Sequence, residues 1–154
     1  MFSALFVSDI HIQSMQDPKA AIFQKFLRSL HRTNCSHLFL VGDIFDLWIA
    51  HHDFFIREYR PLISELKRLA SEHIEIHYFE GNHDLHLKSF WQNQLGITVH
   101  SRLQRFQLGD IKLAVEHGDQ ADPPARAGAT GQRPPGGCIM ARHRHEPTVV
   151  MDLR

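Results

Sequence analysis

Four short polar clusters carry the side chains able to do chemistry: Asp9-Ile10-His11, Gly42-Asp43, Gly81-Asn82-His83-Asp84 and His117-Gly118-Asp119. They combine carboxylates, a carboxamide and imidazoles. Such mixed oxygen and nitrogen donors suit borderline divalent ions, Mn²⁺, Fe²⁺ or Zn²⁺. One aspartate has two oxygens and can bridge two ions, and an ion pair about 4 Å apart can clamp a phosphoryl group and activate water. Glycine beside a ligand lets the backbone turn sharply and lets a phosphate approach closely. Singly, each cluster reads as an ordinary turn or strand end. Four in this order, each closing an apolar stretch, point to one site.

The elements that must position them follow from the apolar pattern. Ser3 to Ser8 reads as a buried strand ending at Asp9. Asp17-Pro18 is a helix start, with Asp as the cap and Pro in the first turn. Ala21, Phe23, Phe26, Leu27 and Leu30 then recur at helical spacing. His37 to Val41 is a second strand, ending at Gly42-Asp43, and a loop from Ile44 to Asp53 follows. Phe55 to Glu72 is helical by pattern, with Pro61 either kinking it or marking its true first turn. Ile74 to Phe79 is a third strand, ending at Gly81-Asn82, and a short helix is expected over Leu85 to Gln94. Ile97 to His100, Leu103 to Leu108 and Ile111 to Glu116 are expected to form an antiparallel group, the last two joined at Gly109-Asp110. The order predicts a three-layer α/β domain with a largely parallel first half. In an open sheet of that kind sites form beyond the carboxyl ends of the strands. The four clusters can meet there although about 30 to 40 residues separate each from the next.

The ordered set resembles the calcineurin-like metallophosphoesterases, whose pattern is D-x-H, GD, GNHD, a later strand-ending His and then GH-x-H. Asp9-Ile10-His11, Gly42-Asp43, Gly81-Asn82-His83-Asp84 and His117 match the first four over about residues 3–120. The resemblance implies an α/β/α sandwich and two divalent ions, with Mn²⁺ expected. Asp9 and His11 would bind one ion, Asp43 would bridge, and Asn82 and His117 would bind the other. Asn82 and His83 would also meet the substrate. His83 would serve as general acid or as stabiliser of charge on the leaving oxygen, with Asp84 orienting its imidazole. Gly42 to Ile49 (GDIFDLWI) and His117-Gly118-Asp119-Gln120 are similar to a narrower group, the UDP-2,3-diacylglucosamine diphosphatases of lipid A synthesis. That group splits a nucleotide-lipid pyrophosphate into UMP and a diacylated sugar 1-phosphate. Many of its members carry Arg where this chain has His83, which leaves another phosphodiesterase or phosphatase as the alternative. Phe45, Trp48, Phe54 and Phe55 either receive acyl chains or cover the sheet edge. His51 and His52 read as solvated loop residues.

Composition changes along the chain. Every Phe, Trp and Tyr lies between Phe2 and Phe106, whereas residues 121–154 hold five of the seven prolines and no lysine. Such a stretch buries too little apolar surface to offset its ordering entropy. We therefore expect a partial phosphoesterase domain over 1–120 and a low-complexity, disordered tail over 121–154. The closing GH-x-H is absent, and so are the late strands and a helical cap. His143-Arg144-His145 has the spacing but lacks a preceding glycine and strand. The abrupt shift suggests a reading-frame change near Gln120 to Pro123, which would leave a chain without activity as a further alternative.

Net charge is zero, which argues against a general nucleic-acid binder. Two cysteines, Cys35 and Cys138, make no disulfide framework. No membrane-length apolar run and no leader pattern over Met1 to Ser14 are legible. A cytoplasmic protein is expected, peripheral on the inner membrane face if its substrate carries acyl chains. No protein partner is legible.

Overall fold

The computed structural model describes residues 3–118 and the backbone of 151–153. A five-stranded sheet forms its centre. β1 (Ala4–Val7), β2 (His37–Val41), β4 (Glu75–Phe79) and β6 (Thr98–His100) are parallel, in the order β6-β4-β2-β1. The three predicted apolar strands are therefore neighbours, as their continuous hydrophobic runs require. β6 departs from the antiparallel group expected of it. It adds in parallel to β4, because the chain from β4 crosses back beneath the sheet before reaching it.

Side chains alternate across the sheet. Leu5, Val7, Leu38, Leu40, Ile76, Tyr78 and Val99 face the helices and share one core with Phe23, Leu27, Leu62, Leu66 and Leu69. Helix α1 (Pro18–Ser29) starts as its sequence dictates: the Asp17 carboxylate accepts from Lys19 N at 2.9 Å, and Pro18 occupies the first turn. The long predicted helix is two. α2 (Asp53–Glu58) ends at Tyr59, and α3 (Arg60–Ser71) begins anew with Pro61 in its first turn, where a missing N–H costs nothing. Arg68 of α3 donates to the carbonyls of Leu27 and Leu30 and so closes the end of α1.

Ala4, Phe39, Val41 and Phe79 face the other way. Among the described residues they are covered by the hairpin of β7 (Gln104–Leu108) and β8 (Ile111–Val115), through Phe106, Leu108, Leu113 and Val115. The turn at Gly109 has the positive φ (59°) its sequence foretold.

Three further differences concern short segments. The Ile44–Asp53 loop contains β3 (Trp48–Ile49), which pairs in parallel with β5 (Asp84–Leu85). Within the expected helix over Leu85–Gln94, only a 3₁₀ turn at Leu87–Ser89 forms, since Asp84 and Leu85 are drawn into that pairing and His86 is left-handed (φ 59°). Met151–Leu153 form β9, antiparallel to β1, so the sheet edge beside β1 is paired, although no strand was expected in that stretch. The other expectations for residues 121–154, including His143 and His145, lie outside the described residues, as do Asp119 and Gln120.

Candidate metal centre

Beyond the carboxyl ends of β1 and β2 the two chains continue side by side. Asp9 N donates to Gly42 O (3.1 Å), His11 N to Asp43 O (3.0 Å), Ile12 N to Ile44 O (3.0 Å) and Asp46 N back to Ile12 O (2.9 Å). This ladder carries the D-x-H and GD segments in register. Asp9, His11 and Asp43 all have φ near +50° (52°, 51° and 52°). Three left-handed non-glycine residues in one site are strain of the kind that clusters at functional positions. Their ligand atoms lie within 4.8 Å of one another.

Asp43 is the centre. It is buried, and its two oxygens are shared out. Oδ1 accepts from His83 N at 3.0 Å. Oδ2 lies 3.8 Å from His11 Nε2 and 3.3 Å from His117 Nε2. His117, at the end of β8, is 8% exposed. Its Nδ1 donates to Val41 O at 2.9 Å; a carbonyl can only accept, so the ring in its neutral form carries its lone pair on Nε2. Burial raises the Asp43 pKa, but the His117 and His83 contacts outweigh it and hold the carboxyl below its ordinary range. Burial lowers that of His117, but the Asp43 carboxylate and the Val41 carbonyl outweigh it and push the value up to about 9.

Both motif glycines are dictated by contact. A Cβ on Gly42 (φ +72°) would fall inside the His117 ring, and one on Gly81 would meet the Asp43 carboxylate. Asn82 stands exposed on the turn that wraps Asp43, between Gly81 and His83. The structure thus brings Asp9, His11, Asp43, His83 and His117 together, with Asn82 on the same turn.

Asp84 takes another part than orienting His83. Its Oδ2 accepts from Asp43 N (2.8 Å) and Gly81 N (3.0 Å), and its Oδ1 from the Tyr78 hydroxyl (3.3 Å). It knits the two metal-type loops from below. Burial pushes its pKa up to about 6 against these hydrogen bonds. The His83 imidazole is oriented by the Asp46 carbonyl, to which Nδ1 donates. Asp46 was not among the sequence candidates; its signal was an aspartate three residues after Asp43 on one loop. Tyr59 was also missed. Its hydroxyl donates to the carbonyls of Ile12 (3.0 Å) and Gln13 (3.1 Å), just beyond His11. Nothing in spacing reveals that contact.

Of the aromatic loop residues, Phe45 and Trp48 are fully buried, packed with Tyr59, Phe90 and Trp91, and Phe55 is half-buried. Only Phe54 is exposed (57%).

The donor set, with mixed carboxylate and imidazole atoms converging on one buried aspartate, fits divalent metal ions. Residues 2–131 match the family model for calcineurin-like phosphoesterases. The chain belongs to that family. Similar proteins include a UDP-2,3-diacylglucosamine hydrolase of Porphyromonas gingivalis, 27% identical over 118 residues (75% of this chain, 45% of the relative). Another of that name, from Hamiltonella defensa, is 29% identical over 120 residues (76% and 45%). The chain spans about half the length of the curated relatives it matches. A crystal structure of a protein of unknown function from Aquifex aeolicus aligns with a TM-score of 0.50 at 18% identity, over 83% of this chain and 67% of that one, and shares the fold. Among the described residues no helix is long and apolar enough to cross a membrane.

Proposed function

We propose that this calcineurin-like phosphoesterase hydrolyses a pyrophosphate in a nucleotide-linked lipid, UDP-2,3-diacylglucosamine, to UMP and 2,3-diacylglucosamine 1-phosphate. The observation that carries the hydrolytic part is the Asp43 carboxylate, whose Oδ2 lies within 4 Å of two imidazole nitrogens from different elements, His11 Nε2 (3.8 Å) and His117 Nε2 (3.3 Å). That is the arrangement needed for a bridging ligand. Asp9 and His11 would hold one ion, Asn82 and His117 the other, with Mn²⁺ the expected metal. When bound, the ion pair supplies positive charge for the phosphoryl oxygens and lowers the pKa of water. His83, with Nδ1 committed to the Asp46 carbonyl, presents Nε2 to hold or deliver a proton at the leaving oxygen. Asp84 and Tyr78 keep the loops of Asp43 and Gly81 at fixed separation.

The nucleotide-lipid assignment is supported by the relatives' names and by exposed apolar side chains next to His83. Leu47, Ile49 and Leu85 are 42%, 36% and 45% exposed, on or beside the β3–β5 pair that follows Asp46 and His83. An acyl chain leaving the crevice would meet them, which also fits contact with the cytoplasmic face of a membrane. The test is UMP release from UDP-2,3-diacylglucosamine by the Mn²⁺-loaded chain, beside cleavage of an aryl phosphodiester. Release that is lost in His83→Ala and Asp43→Asn is expected. Cleavage of the aryl ester alone would assign another phosphodiesterase, and two bound ions without turnover of either would refute hydrolysis by this chain.

A further inference from the structure

The crevice holds a second set of metal-type donors. His11, Asp46 and His83 come from three different loops, and their ligand atoms lie within 4.8 Å of one another. His11 belongs to both sets through opposite ring atoms. Its Nε2 faces Asp43 Oδ2 at 3.8 Å, while its Nδ1 faces Asp46 Oδ1 at 3.9 Å. The His83 ring stands edge-on to the His11 ring, with centroids 4.8 Å apart and planes at 80°. Its Nδ1 proton is committed to the Asp46 carbonyl, so Nε2 is the atom left to coordinate. A carbonyl holding the far nitrogen of an imidazole is also what fixes the ring of a metal-ligating histidine.

The two sets differ in chemistry. Asp9, His11 and Asp43 offer two carboxylates and one imidazole, a set for harder ions such as Mn²⁺. His11, Asp46 and His83 offer two imidazoles and one carboxylate, which with one open position is a zinc set. The side chains of His11 and Asp46 are 32% and 47% exposed, so an ion reaches them from solvent.

We propose that His11, Asp46 and His83 form an inhibitory zinc site that competes with the Asp43-centred one. A neutral imidazole has a single lone pair. When Nδ1 of His11 binds zinc, Nε2 carries the proton and turns from a ligand into a donor toward Asp43. Zinc here therefore withdraws His11 from Asp9 and Asp43, and in the same event takes Nε2 of His83 away from the leaving group. The second consequence rests on the hydrolytic role proposed for His83; the site itself does not.

The experiment is a Zn²⁺ titration of the full chain, read by calorimetry and by ¹⁵N NMR of the histidine side chains, on wild type, Asp46→Asn and His83→Gln. Thermal unfolding in EDTA verifies that both variants are folded. Expected is a zinc equivalent that shifts His83 Nε2 and His11 Nδ1, with affinity falling at least about ten-fold in each variant. An unmoved His83 resonance at zinc saturation, or wild-type zinc affinity in both variants, overturns the site. If the His83 shift is present while no metal form hydrolyses anything, the zinc site stands and the hydrolase reading fails.

Discussion

Replacing His77 by Gln should flatten the acid limb of the stability curve. His77 lies on β4 under the hairpin, between the rings of Phe39 (5.0 Å) and Phe106 (4.8 Å), with Nδ1 3.1 Å from His100 Nε2. Its side chain is 12% exposed. Burial, reinforced by His100 and His37, pushes its pKa down to about 4. The unfolded chain protonates His77 near 6.5, the ordinary imidazole value. Between these limits the unfolded state binds more protons, so stability is full above pH 6.5 and falls as the pH drops toward 4. From pH 7.5 to pH 5 this one group removes about 2 kcal/mol. Glutamine retains a polar partner for His100 and does not titrate. Urea unfolding at the two pH values, on wild type and His77→Gln, isolates the contribution, because Asp84 titrates in both proteins. The variant should lose about 2 kcal/mol less than wild type on acidification. An equal loss in the two proteins would refute the assignment of a depressed pKa to burial under the hairpin.

Three other outcomes are expected. Gly42→Ala forces a Cβ into the His117 ring at a φ of +72°, so Mn²⁺ affinity by calorimetry should fall about ten-fold or more, as for loss of a supporting contact, with far-UV circular dichroism unchanged. Asp84→Ala leaves the buried N–H groups of Asp43 and Gly81 without their acceptor; a loss of about 3 kcal/mol in urea unfolding is expected, and a variant as stable as wild type would contradict the knitting role. Tyr59→Phe removes the hydroxyl donor from the Ile12 and Gln13 carbonyls, leaving Ile12 O its bond from Asp46 N; it should cost about 1 kcal/mol and accelerate amide exchange at His11 and Asp46, with exchange elsewhere little changed.

The three strands β1, β2 and β4 were legible because a parallel sheet buried on both faces demands unbroken apolar runs. Leu38, Leu40, Ile76 and Tyr78 meet helices while Phe39 and Phe79 meet the hairpin. The start of α1 was legible from Asp17-Pro18, and the start of α3 from Pro61, since capping and proline geometry are local. The ends of the α2 and β5 regions were not. There the Trp48–Asp84 pairing and the packing of Trp48 and Trp91 override a helical pattern, and pairing across many residues leaves no local trace.

By itself the sequence pointed to Asp9, His11, Asp43, His83 and His117 as residues that meet, but not to Asp46. D-x-H, GD and GNHD each follow a strand of the parallel sheet, whose ends on one side converge, and the late His arrives from the antiparallel hairpin packed on that sheet. Only the tertiary structure decided how those residues divide the work. A hydrogen bond depends on where a side chain points, and spacing does not record that. Hence Asp84, next to His83 in sequence, serves Asp43 and Gly81, while the distant Asp46 carbonyl holds the His83 ring. Folding likewise decided that one imidazole, His11, stands between two carboxylates, Asp43 and Asp46, and so between two metal chemistries.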